Sequence, residues 1–581
     1  MSVTLADVIE SAAGSDSDRY GFRFLDRHEE ASWLPFAQFR RRVATTAGAL
    51  LDSGIRRGER VAIVLPTCPE FIELFFAAQW IGAIPVALYP PLRLGRLGEY
   101  HERTSAMLKA AGAAVLYTDS RIGRILGETA ARYRPRLGVR SVAGLRDGRE
   151  AAAAPSRADQ IAMIQFSSGT TTDPKPVALS HSQMLANGQR ITDAILHLLP
   201  PELGHDPGGV SWLPLYHDMG LIGCLLPALL GPGPLTLIPP EHFLARPAIW
   251  LRAISRYRGT TSPAPNFAYS LSVDRIRDEE LEGCDLACWR MAMNGAEPMA
   301  AATLRAFERR FSRWGFRDDA LMPVYGLSEA TLAVTFTRPG TRWRSERFDT
   351  ARIALGIVQP DPDGSEWVSC GEPLPGFAVR IRNDAGGHVG ENRVGRIQVR
   401  GPSVMSGYFG RDDAPIDAEG WLDTGDLGFL RDGRLYVTGR AKDLLVLRGH
   451  NLAPEDLERA VDAVPGVRTG CAAAVAEIGE SGERLLLFVE ARQARDGMAE
   501  ECRRAVMAAC SVSPDEVLVL EPGTLPRTSS GKIRRGETLR LARSGELRAP
   551  AAVNARTLGG AMLRSAVGYV RSRLGAGQDD T

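Results

Sequence analysis

The chain has 581 residues, of which 44% are hydrophobic and 24% are charged, and its 70 basic and 69 acidic side chains give a net charge of +1. This composition is typical of a globular protein in water, and the length predicts about three or four folding units. A net charge so close to zero provides no general attraction to nucleic acid or to an anionic membrane surface. We therefore expect neither a nucleic-acid partner nor stable membrane insertion.

Cysteine usage and the N-terminus both indicate a cytoplasmic protein. The eight cysteines form no Cys-x-x-Cys pair and have no histidines at zinc-site spacing, which favours reduced, buried thiols. The N-terminal residues lack the basic and apolar segments of a signal peptide. Residues 220–240 are uncharged, but Pro227, Gly231, Pro232, Gly233 and Pro234 interrupt them. We predict a short buried helix, a turn and a strand (Leu235–Ile238) there rather than a membrane span.

Helices and strands alternate through the first part of the chain. Apolar side chains spaced by three and four residues predict a helix over Phe36–Leu51, and a strand follows over Arg60–Leu65. A helix over Glu70–Trp80 and strands over Ile84–Leu88 and Ala113–Tyr117 continue the pattern. Such alternation indicates mainly parallel sheets that are covered by helices on both faces.

The pattern changes in the second part of the chain. Short strand-like runs with Gly, Asp and Asn turns between Val368 and Val399 indicate a small β-rich subdomain. Beyond Arg440–Asp443, a helix from Pro454 and strand-like runs at 472–475 and 485–490 indicate a smaller α/β domain. Apolar residues at multiples of four after residue 549 predict an amphipathic helix. Packing on the protein is our first interpretation of this helix, and docking of an acidic partner is the second.

These patterns together predict an α/β fold in four parts. A large N-terminal domain of mainly parallel α/β sheets plus the small β-rich subdomain takes residues 1–439. A hinge at 440–443 joins it to a smaller C-terminal α/β domain at 444–545, and 546–581 form an appendage. We call the two larger parts the large domain and the small domain.

A loop rich in hydroxyl groups follows the strand-like run that ends at Phe166. Its residues are Ser167, Ser168, Gly169, Thr170, Thr171 and Thr172, and Lys175 lies three positions further on. Hydroxyl and backbone N–H donors together with a lysine suit phosphate oxygens. The alternative is an ordinary Ser/Thr-rich turn. The Walker pattern Gly-x-x-x-x-Gly-Lys-Ser/Thr occurs nowhere in the chain.

Four further motifs follow in order: YGLSEATL from Tyr325, LDTGDLG from Leu422, TGRAKDLLVLRGHNLAPEDLE from Thr438 and LPRTSSGKIRR from Leu525. Together with the hydroxyl-rich loop they resemble the core motifs of the adenylate-forming superfamily. That superfamily includes acyl-CoA synthetases, luciferases and peptide-synthetase adenylation domains. The resemblance covers roughly residues 5–545. It implies an ATP-dependent, Mg²⁺-using ligase whose C-terminal domain works in two orientations.

The resemblance also implies roles for individual residues. Glu329 matches the acidic residue that holds Mg²⁺, Lys532 matches the mobile lysine that bridges carboxylate and α-phosphate, and Lys442 falls at the hinge. Taken alone, Glu329 would be interpreted as a solvated or helix-capping residue and Lys532 as a flexible, exposed lysine. Tyr325 matches the aromatic residue that stacks on adenine, and Asp426 the acceptor for ribose hydroxyls. The implied nucleotide-binding set is Ser167, Ser168, Gly169, Thr170, Thr171, Lys175, Gly295, Ala296, Glu297, Tyr325, Gly326, Ser328, Asp426 and Arg440.

Two stretches resemble one branch of the superfamily, the fatty acyl-AMP ligases, which pass an activated fatty acid to acyl carrier protein. They are WLPLYHDMGLIG from Trp212 and TSPAPNFAYSL from Thr261. The resemblance implies an acyl pocket formed by His217, Asp218, Met219, Asn266 and Phe267, with His217 also a catalytic candidate. A structural His217–Asp218 pair in the core is the alternative.

The residues themselves favour an apolar acid as the substrate. Residues 263–268 contain no acidic side chain that could pair an α-ammonium group, which disfavours an amino acid. Phe267, Tyr269 and Leu271 suit an alkyl chain. Residues 337–358 lie where this branch carries an insertion thought to restrict domain rotation.

Two positions depart from the superfamily pattern, because Thr172 and Pro176 stand where glycine is common. Pro176 has no N–H to donate, so Lys175 is the assignment with the weakest support. The resemblance implies a fatty acid, ATP and Mg²⁺, with acyl carrier protein as acceptor. An acyl-CoA synthetase is the first alternative, and a catalytically silent adenylate-binding interaction protein is the second. The sequence specifies no oligomeric state.

Overall fold

A computed structural model of the chain describes residues 3–14, 18–91, 97–167, 174–197, 207–383, 385–447, 450–462, 464–479, 482–510, 512–528, 532–549 and 562–570. The helices are α1 Leu5–Gly14, α2 Phe36–Asp52, α3 Pro69–Trp80, α4 Leu97–Ala111, α5 Ser120–Gly123, α6 Gly127–Arg132, α7 His181–His197, α8 Asp218–Gly220, α9 Leu226–Leu230, α10 Pro240–Ala245, α11 Ala248–Arg256, α12 Asn266–Arg275, α13 Ala301–Phe311, α14 Thr350–Ala354, α15 Pro454–Asp462, α16 Met498–Cys510, α17 Arg535–Arg543 and α18 562–570.

The strands are β1 Gly21–Leu25, β2 Ala31–Pro35, β3 Arg60–Val64, β4 Ile84–Leu88, β5 Ala113–Thr118, β6 Val139–Ser141, β7 Ile161–Phe166, β8 Pro176–Ser180, β9 Gly209–Ser211, β10 Leu235–Leu237, β11 Thr261–Ala264, β12 Met291–Asn294, β13 Leu321–Gly326, β14 Ala333–Phe336, β15 Ser345–Phe348, β16 Ser365–Val368, β17 Glu372–Pro373, β18 Ala378–Arg382, β19 His388–Val389, β20 Gly395–Arg400, β21 Leu422–Arg431, β22 Arg434–Arg440, β23 Leu445–Leu447, β24 His450–Leu452, β25 Val467–Gly479, β26 Gly482–Ala491 and β27 Glu516–Leu520.

Two mixed sheets form the framework of the first part of the chain. Within the described ranges, one has the order β6-β5-β3-β4-β7-β8 and the other β17-β14-β13-β12-β11-β9-β10-β1-β2. The inner strands pair in parallel and antiparallel pairs lie toward the ends, as in β7–β8 and β13–β14. Strands β4 and β5 are buried along their whole length, which is typical of parallel strands covered on both faces. The predicted α/β fold is therefore confirmed.

The apolar segment 220–240 folds against these sheets. A π-helical segment, Leu221–Leu225, joins α8 to α9, and strand β10 follows after the turn at Gly231–Pro234. All five residues of the π-helical segment are buried. The predicted helix, turn and strand are thus present. Among the described residues, no helix has the length and apolar character needed to cross a bilayer.

The second part of the chain forms smaller sheets. An antiparallel sheet with the order β19-β18-β20-β21-β22 extends from Ala378 to Arg440, beyond the predicted β-rich range. Strand β16 at the start of that range pairs instead with β15. Helices α15 and α16 share a core with the sheet β25-β26-β27. The exact domain limits remain a prediction.

Helix α18 packs on the large domain near α5 and α6. The Gly127 backbone N–H donates to Ser565 Oγ at 2.8 Å, and the Tyr569 hydroxyl donates to the Gly123 carbonyl at 2.8 Å. A Cβ atom on Gly127 would lie 1.8 Å from the Ser565 carbonyl oxygen, so the two backbones are in direct contact. Leu558 and Leu574, which belong to the predicted apolar pattern, lie outside the described residues.

Candidate active site

A cavity of about 590 Å³ lies where the large sheet, the β21–β22 hairpin and the loop before α17 meet. Its wall combines a charged group, in which Lys532 lies near Arg440 and Asp218, with an apolar group around Ile191, Met293 and Phe336 that packs as one cluster. We call these two groups the polar end and the apolar end. The chain has only four lysines, and three of them, Lys175, Lys442 and Lys532, line this cavity. Arg396 and Arg440 also line the cavity, so its basic side chains outnumber the acidic ones, Asp218, Glu329 and Asp423, and the wall suits an anionic ligand.

Asp426 and Arg440 face each other across the β21–β22 hairpin. Arg440 Nε lies 3.1 Å from Asp426 Oδ1, and the Tyr325 hydroxyl donates to Asp426 Oδ2 at 2.8 Å. Tyr325 and Arg440 line the cavity, whereas Asp426 lies directly behind them. The charge of Asp426 raises the pKa of Arg440, and burial together with that charge raises the pKa of the Tyr325 hydroxyl. Each oxygen of Asp426 keeps a second lone pair for a further donor.

Glu329 lies in a turn of 3₁₀-helix, Ser328–Ala330, immediately after β13. The Tyr408 hydroxyl donates to Glu329 Oε1 at 3.2 Å, and Lys175 Nζ lies 4.9 Å from the centre of the Tyr408 ring. Burial raises the pKa of Glu329, so a nearby cation would stabilise its charged form.

Glu329 suits a hard cation whose other ligands come from the substrate. Carboxylate oxygen is a ligand that Mg²⁺ prefers, and Mg²⁺ is usually held by one or two carboxylates together with substrate phosphates. No group of three or more potential metal ligands occurs among the described residues. Because Mg²⁺ needs few protein ligands when substrate phosphates supply the others, Glu329 could hold it in this site.

Lys532 reaches the cavity from the loop before α17. Its carbonyl accepts from the Thr528 N–H at 2.7 Å, and its own N–H donates to Thr528 Oγ1 at 3.1 Å. Burial lowers the pKa of Lys532, and the nearby Arg440 charge lowers it further. The side chain is thus a cation held among partly buried charges, where its interactions are stronger than in water.

His217 and Asp218 join the start of α8 to the Glu329 turn. Asp218 Oδ1 lies 3.2 Å from His217 Nδ1, and the Ser328 hydroxyl donates to Asp218 Oδ2 at 2.5 Å. Burial alone would raise the pKa of Asp218, but the His217 contact and hydrogen bonds from Ser328 and the Met219 amide lower it. The three residues His217, Asp218 and Met219 all line the cavity. The pair therefore has a structural partner and also faces the cavity.

The apolar end of the cavity comes from elements far apart in the chain. Its residues include Ile191 of α7, Gly223 of the π-helical segment, and Leu332 and Phe336 around β14. A second small cavity of about 50 Å³ adjoins this end, because Gly223 and Pro263 line both. An apolar space of this form suits an alkyl group.

Two predicted acyl-pocket residues lie away from the wall of the main cavity. Phe267 packs its ring 5.9 Å from Trp212, and its N–H donates to Glu297 Oε1 at 2.5 Å. Asn266 accepts from Asn294 Nδ2 at 3.3 Å.

The expectation that Tyr269 and Leu271 line an alkyl pocket is corrected by the structure. Tyr269 is fully buried, and its hydroxyl donates to the Met293 carbonyl at 2.9 Å. Leu271 packs against the same core cluster. The reason is that α12 directs Tyr269 into the aromatic core, where its ring packs on Trp250 and Phe307.

Of the three residues predicted for the nucleotide loop near residue 295, only Ala296 lines the cavity. Ala296 lines the cavity with a φ of 70°, whereas Gly295 packs against Val324, where a Cβ atom would lie 2.7 Å from Val324 Cγ2. Glu297 lies behind the wall, and burial raises its pKa. Ser167, Gly326 and Ser328 line the cavity. Ser168, Gly169, Thr170 and Thr171 lie outside the described residues.

Sequence reasoning missed several wall residues. Tyr408 is one of them. It lies in a short run, 407–409, that pairs with β8, and nothing in the sequence indicates this pairing. Ile191 and Phe336 gave no signal, because an apolar residue that lines a cavity looks the same in sequence as one that lies in the core. Asp423 and Thr424 also line the cavity, and they belong to the LDTGDLG motif.

Comparisons with known proteins identify the family of the chain. A protein of Caulobacter vibrioides with the provisional name acyl-CoA synthetase is 35% identical over 528 residues, covering 88% of this chain and 90% of its own. The medium-chain fatty-acid–acyl-carrier-protein ligase JamA of Moorena producens is 32% identical, covering 92% of this chain and 94% of its own.

A solved structure from work on fatty acyl-adenylate ligases of E. coli and L. pneumophila superimposes with a TM-score of 0.86. Its sequence is 35% identical, and the alignment covers 93% of this chain and 98% of that one. The family described as AMP-binding enzyme matches residues 10–409. That range includes the hydroxyl-rich loop, the Tyr325 motif and Tyr408. The chain therefore belongs to the AMP-binding enzyme family, and its resemblance to the fatty acyl-AMP ligase branch is confirmed.

Proposed function

We propose that this protein is a fatty acyl-AMP ligase, which activates a fatty acid with ATP and passes the acyl group to the phosphopantetheine of an acyl carrier protein. The observation that carries this proposal is the meeting of Lys532, Arg440 and Glu329 at the polar end of a cavity whose other end is apolar. ATP phosphates suit the first end and an alkyl chain suits the second.

In the first step, a carboxylate oxygen of the fatty acid attacks the α-phosphorus of ATP. An O–P bond forms, the bond from the α-phosphorus to the bridging oxygen breaks, and pyrophosphate leaves with the bonding electrons. Lys532 and Arg440 lie on the wall where negative charge develops, and preorganised cations at such a position lower the barrier. Tyr325 offers a ring face for adenine, and Asp426 offers free lone pairs for ribose hydroxyls.

Mg²⁺ held by Glu329 would neutralise charge on the phosphates and on the departing pyrophosphate. Tyr408 orients the Glu329 carboxylate through its hydroxyl, and the Lys175 ammonium lies beside the Tyr408 ring. These contacts hold the carboxylate in one position before substrate arrives.

In the second step, the phosphopantetheine thiol gives its proton to water and its sulfur attacks the acyl carbonyl carbon. A C–S bond forms, the bond from that carbon to the phosphate oxygen breaks, and AMP leaves with the bonding electrons. Contacts of the segment 337–358 support a carrier protein as the acceptor. Phe348 packs 5.3 Å from Phe429, and the Tyr436 hydroxyl donates to Glu346 at 2.6 Å, which fixes this segment on the β21–β22 hairpin. Arg459 of the small domain lies 5.1 Å from the ring of Trp367 in the neighbouring strand β16. Such contacts favour restricted rotation of the small domain.

Product mass spectrometry tests the proposal. The protein is incubated with ATP, Mg²⁺ and fatty acids of increasing length, with coenzyme A or holo acyl carrier protein added separately. We expect an acyl-adenylate that persists with coenzyme A and is consumed by carrier protein. The name of the Caulobacter relative favours the alternative of a coenzyme A thioester, and formation of acyl-CoA would move the assignment there. Absence of pyrophosphate release with every acid would support a silent adenylate-binding protein.

Lys532→Ala tests the catalytic assignment. Lys109→Ala is the matched control, because Lys109 is the one lysine of the chain that does not line the cavity and its side chain is exposed on α4. We expect Lys532→Ala to lower the rate of adenylate formation by about 10²-fold or more, with ATP binding largely retained. Lys109→Ala should match the unmodified protein. Normal adenylation by Lys532→Ala would refute the role of Lys532.

A further inference from the structure

Two arginines, Arg534 and Arg535, follow closely after Lys532, and their side chains contact carboxylates in different parts of the protein. Arg534 forms an ion pair with Glu99 in the first turn of α4, in the large domain. Arg535 instead pairs with three carboxylates of the hinge and the small domain: Asp443 at 3.2 Å, Glu455 at 2.9 Å and Glu458 at 2.6 Å. Arg534 therefore crosses between the domains, whereas Arg535 stays within the small domain and the hinge.

Backbone hydrogen bonds make Arg534 and Lys532 parts of one unit. The Arg534 N–H donates to the Pro526 carbonyl at 2.9 Å, and Arg527 forms a β-bridge with Ile533. The Thr538 hydroxyl donates to the Arg534 carbonyl at 3.0 Å, which fixes the same residue to α17. Two residues span at most about 7 Å, so the position of Arg534 determines where Lys532 can reach.

Burial makes the Arg534–Glu99 contact sensitive to the loss of either partner. The Arg534 side chain is 8% exposed and the Glu99 side chain is 39% exposed. A guanidinium group so well buried is stable only when a carboxylate compensates its charge. Because the two residues belong to different domains, the ion pair stabilises only the orientation in which the loop lies against α4.

Helix α18 packs at the same edge of the large domain. Met562 contacts the buried cluster of Leu97 and Ile125, and Leu97 is the first residue of the helix that carries Glu99. Arg564 lies 3.4 Å from Glu128 in the neighbouring α6. The first turn of the helix that carries Glu99 thus also contacts the C-terminal helix α18.

We propose that Arg534 is a positioning residue for adenylation, whose ion pair with Glu99 holds the small domain in the orientation that brings Lys532 into the cavity. The proposal rests on the proposed function, because adenylate formation is the step that uses Lys532. The contact opposes rotation of the small domain away from this orientation. Neither Arg534 nor Glu99 lines the cavity, so each acts through Lys532.

The test measures pyrophosphate release by the full-length chain with dodecanoate, Mg²⁺ and varied ATP. We expect Glu99→Gln and Arg534→Gln each to lower kcat about tenfold, while the KM for ATP changes less than about twofold. The double variant Glu99→Gln/Arg534→Gln should be no slower than the slower single variant, because both changes break one contact. The charge-swapped variant Glu99→Arg/Arg534→Glu should recover part of the loss.

Arg543→Gln is the matched control, since Arg543 pairs with Glu477 at 3.1 Å inside the small domain and crosses no domain boundary. Its kcat should equal that of the unmodified protein. A normal kcat for Glu99→Gln would overturn the inference even if Arg534→Gln failed to fold, because Glu99 is partly exposed and its replacement leaves α4 intact. If the unmodified protein released no pyrophosphate with any acid, the proposed function would fail instead.

Discussion

Replacing Asp426 by asparagine removes one negative charge and keeps an oxygen and an almost identical shape. In the unmodified protein, the carboxylate holds the Tyr325 hydroxyl at 2.8 Å and Arg440 Nε at 3.1 Å, and it is 7% exposed. The change therefore weakens the contacts that orient two cavity-wall side chains. It also removes the charged acceptor that the proposed ribose contact uses.

The expected loss follows from these contacts. A hydrogen bond to a charged group contributes about 1.5–3 kcal/mol, compared with about 1 kcal/mol for a neutral one. Neutralising Asp426 lowers the strength of the ribose contact and of the pairing with Arg440, which is itself 37% exposed and contributes less. A total of about 2–3 kcal/mol corresponds to a Kd for ATP that is about 30- to 150-fold higher.

Isothermal titration of ATP into each variant measures this change directly. Glu346→Gln provides the control, because Glu346 also accepts from a tyrosine, Tyr436 at 2.6 Å, and from an arginine, Arg431 at 2.8 Å, but away from the main cavity. It should lower the melting temperature without changing the Kd for ATP. A Kd for Asp426→Asn within threefold of the unmodified value would refute the assignment of Asp426 to the nucleotide site.

Three other predictions concern the acyl end, the small domain and the pH profile. Gly223→Leu should narrow the apolar end of the cavity, since a Cβ atom there would lie 2.9 Å from Leu332 Cδ2. We expect kcat/KM for long acids to fall at least about tenfold more than for short acids, and an equal loss across a chain-length series would contradict this. Burial raises the pKa of Asp462 from 3.8 to about 7, so the folded protein loses stability as pH rises from about 4 to 7. Asp462→Asn should therefore raise the free energy of unfolding at pH 8 and have little effect on it at pH 4. The gain at pH 8 is at most about 4 kcal/mol, because the side chain is partly exposed, and denaturant titrations at both pH values measure it. Burial lowers the pKa of Lys532, so kcat/KM for ATP should fall on the alkaline side below pH 10.5, and Lys532→Arg, whose guanidinium stays charged, should lack that decline.

Local patterns predicted the elements well, because apolar spacing depends on neighbours in the chain. The helix expected over Phe36–Leu51 is found at Phe36–Asp52, and the strand expected over Ile84–Leu88 has those bounds. The motifs also identified most polar cavity residues, since the spacing of Tyr325, Glu329 and Arg440 within their motifs is a specific signal.

The apolar wall could not be predicted in the same way. Whether Tyr269 faces the cavity or the core depends on how α12 packs on Trp250 and Phe307, whose rings lie 5.6 Å and 5.0 Å from its own. Ile191 reaches the wall from α7, more than a hundred residues before Phe336. Contacts of this kind depend on tertiary packing, which periodicity does not report.

The distribution of lysine has a practical chemical consequence. Reagents that modify amines, such as formaldehyde with a mild reductant, can act on only four side chains of this protein and on its N-terminus. Three of those side chains line the cavity, and the fourth, Lys109, is an exposed reference on α4. Carbon-13 methyl groups added in this way would give a spectrum of very few signals. Changes in those signals with ATP or fatty acid would report almost entirely on the occupied cavity.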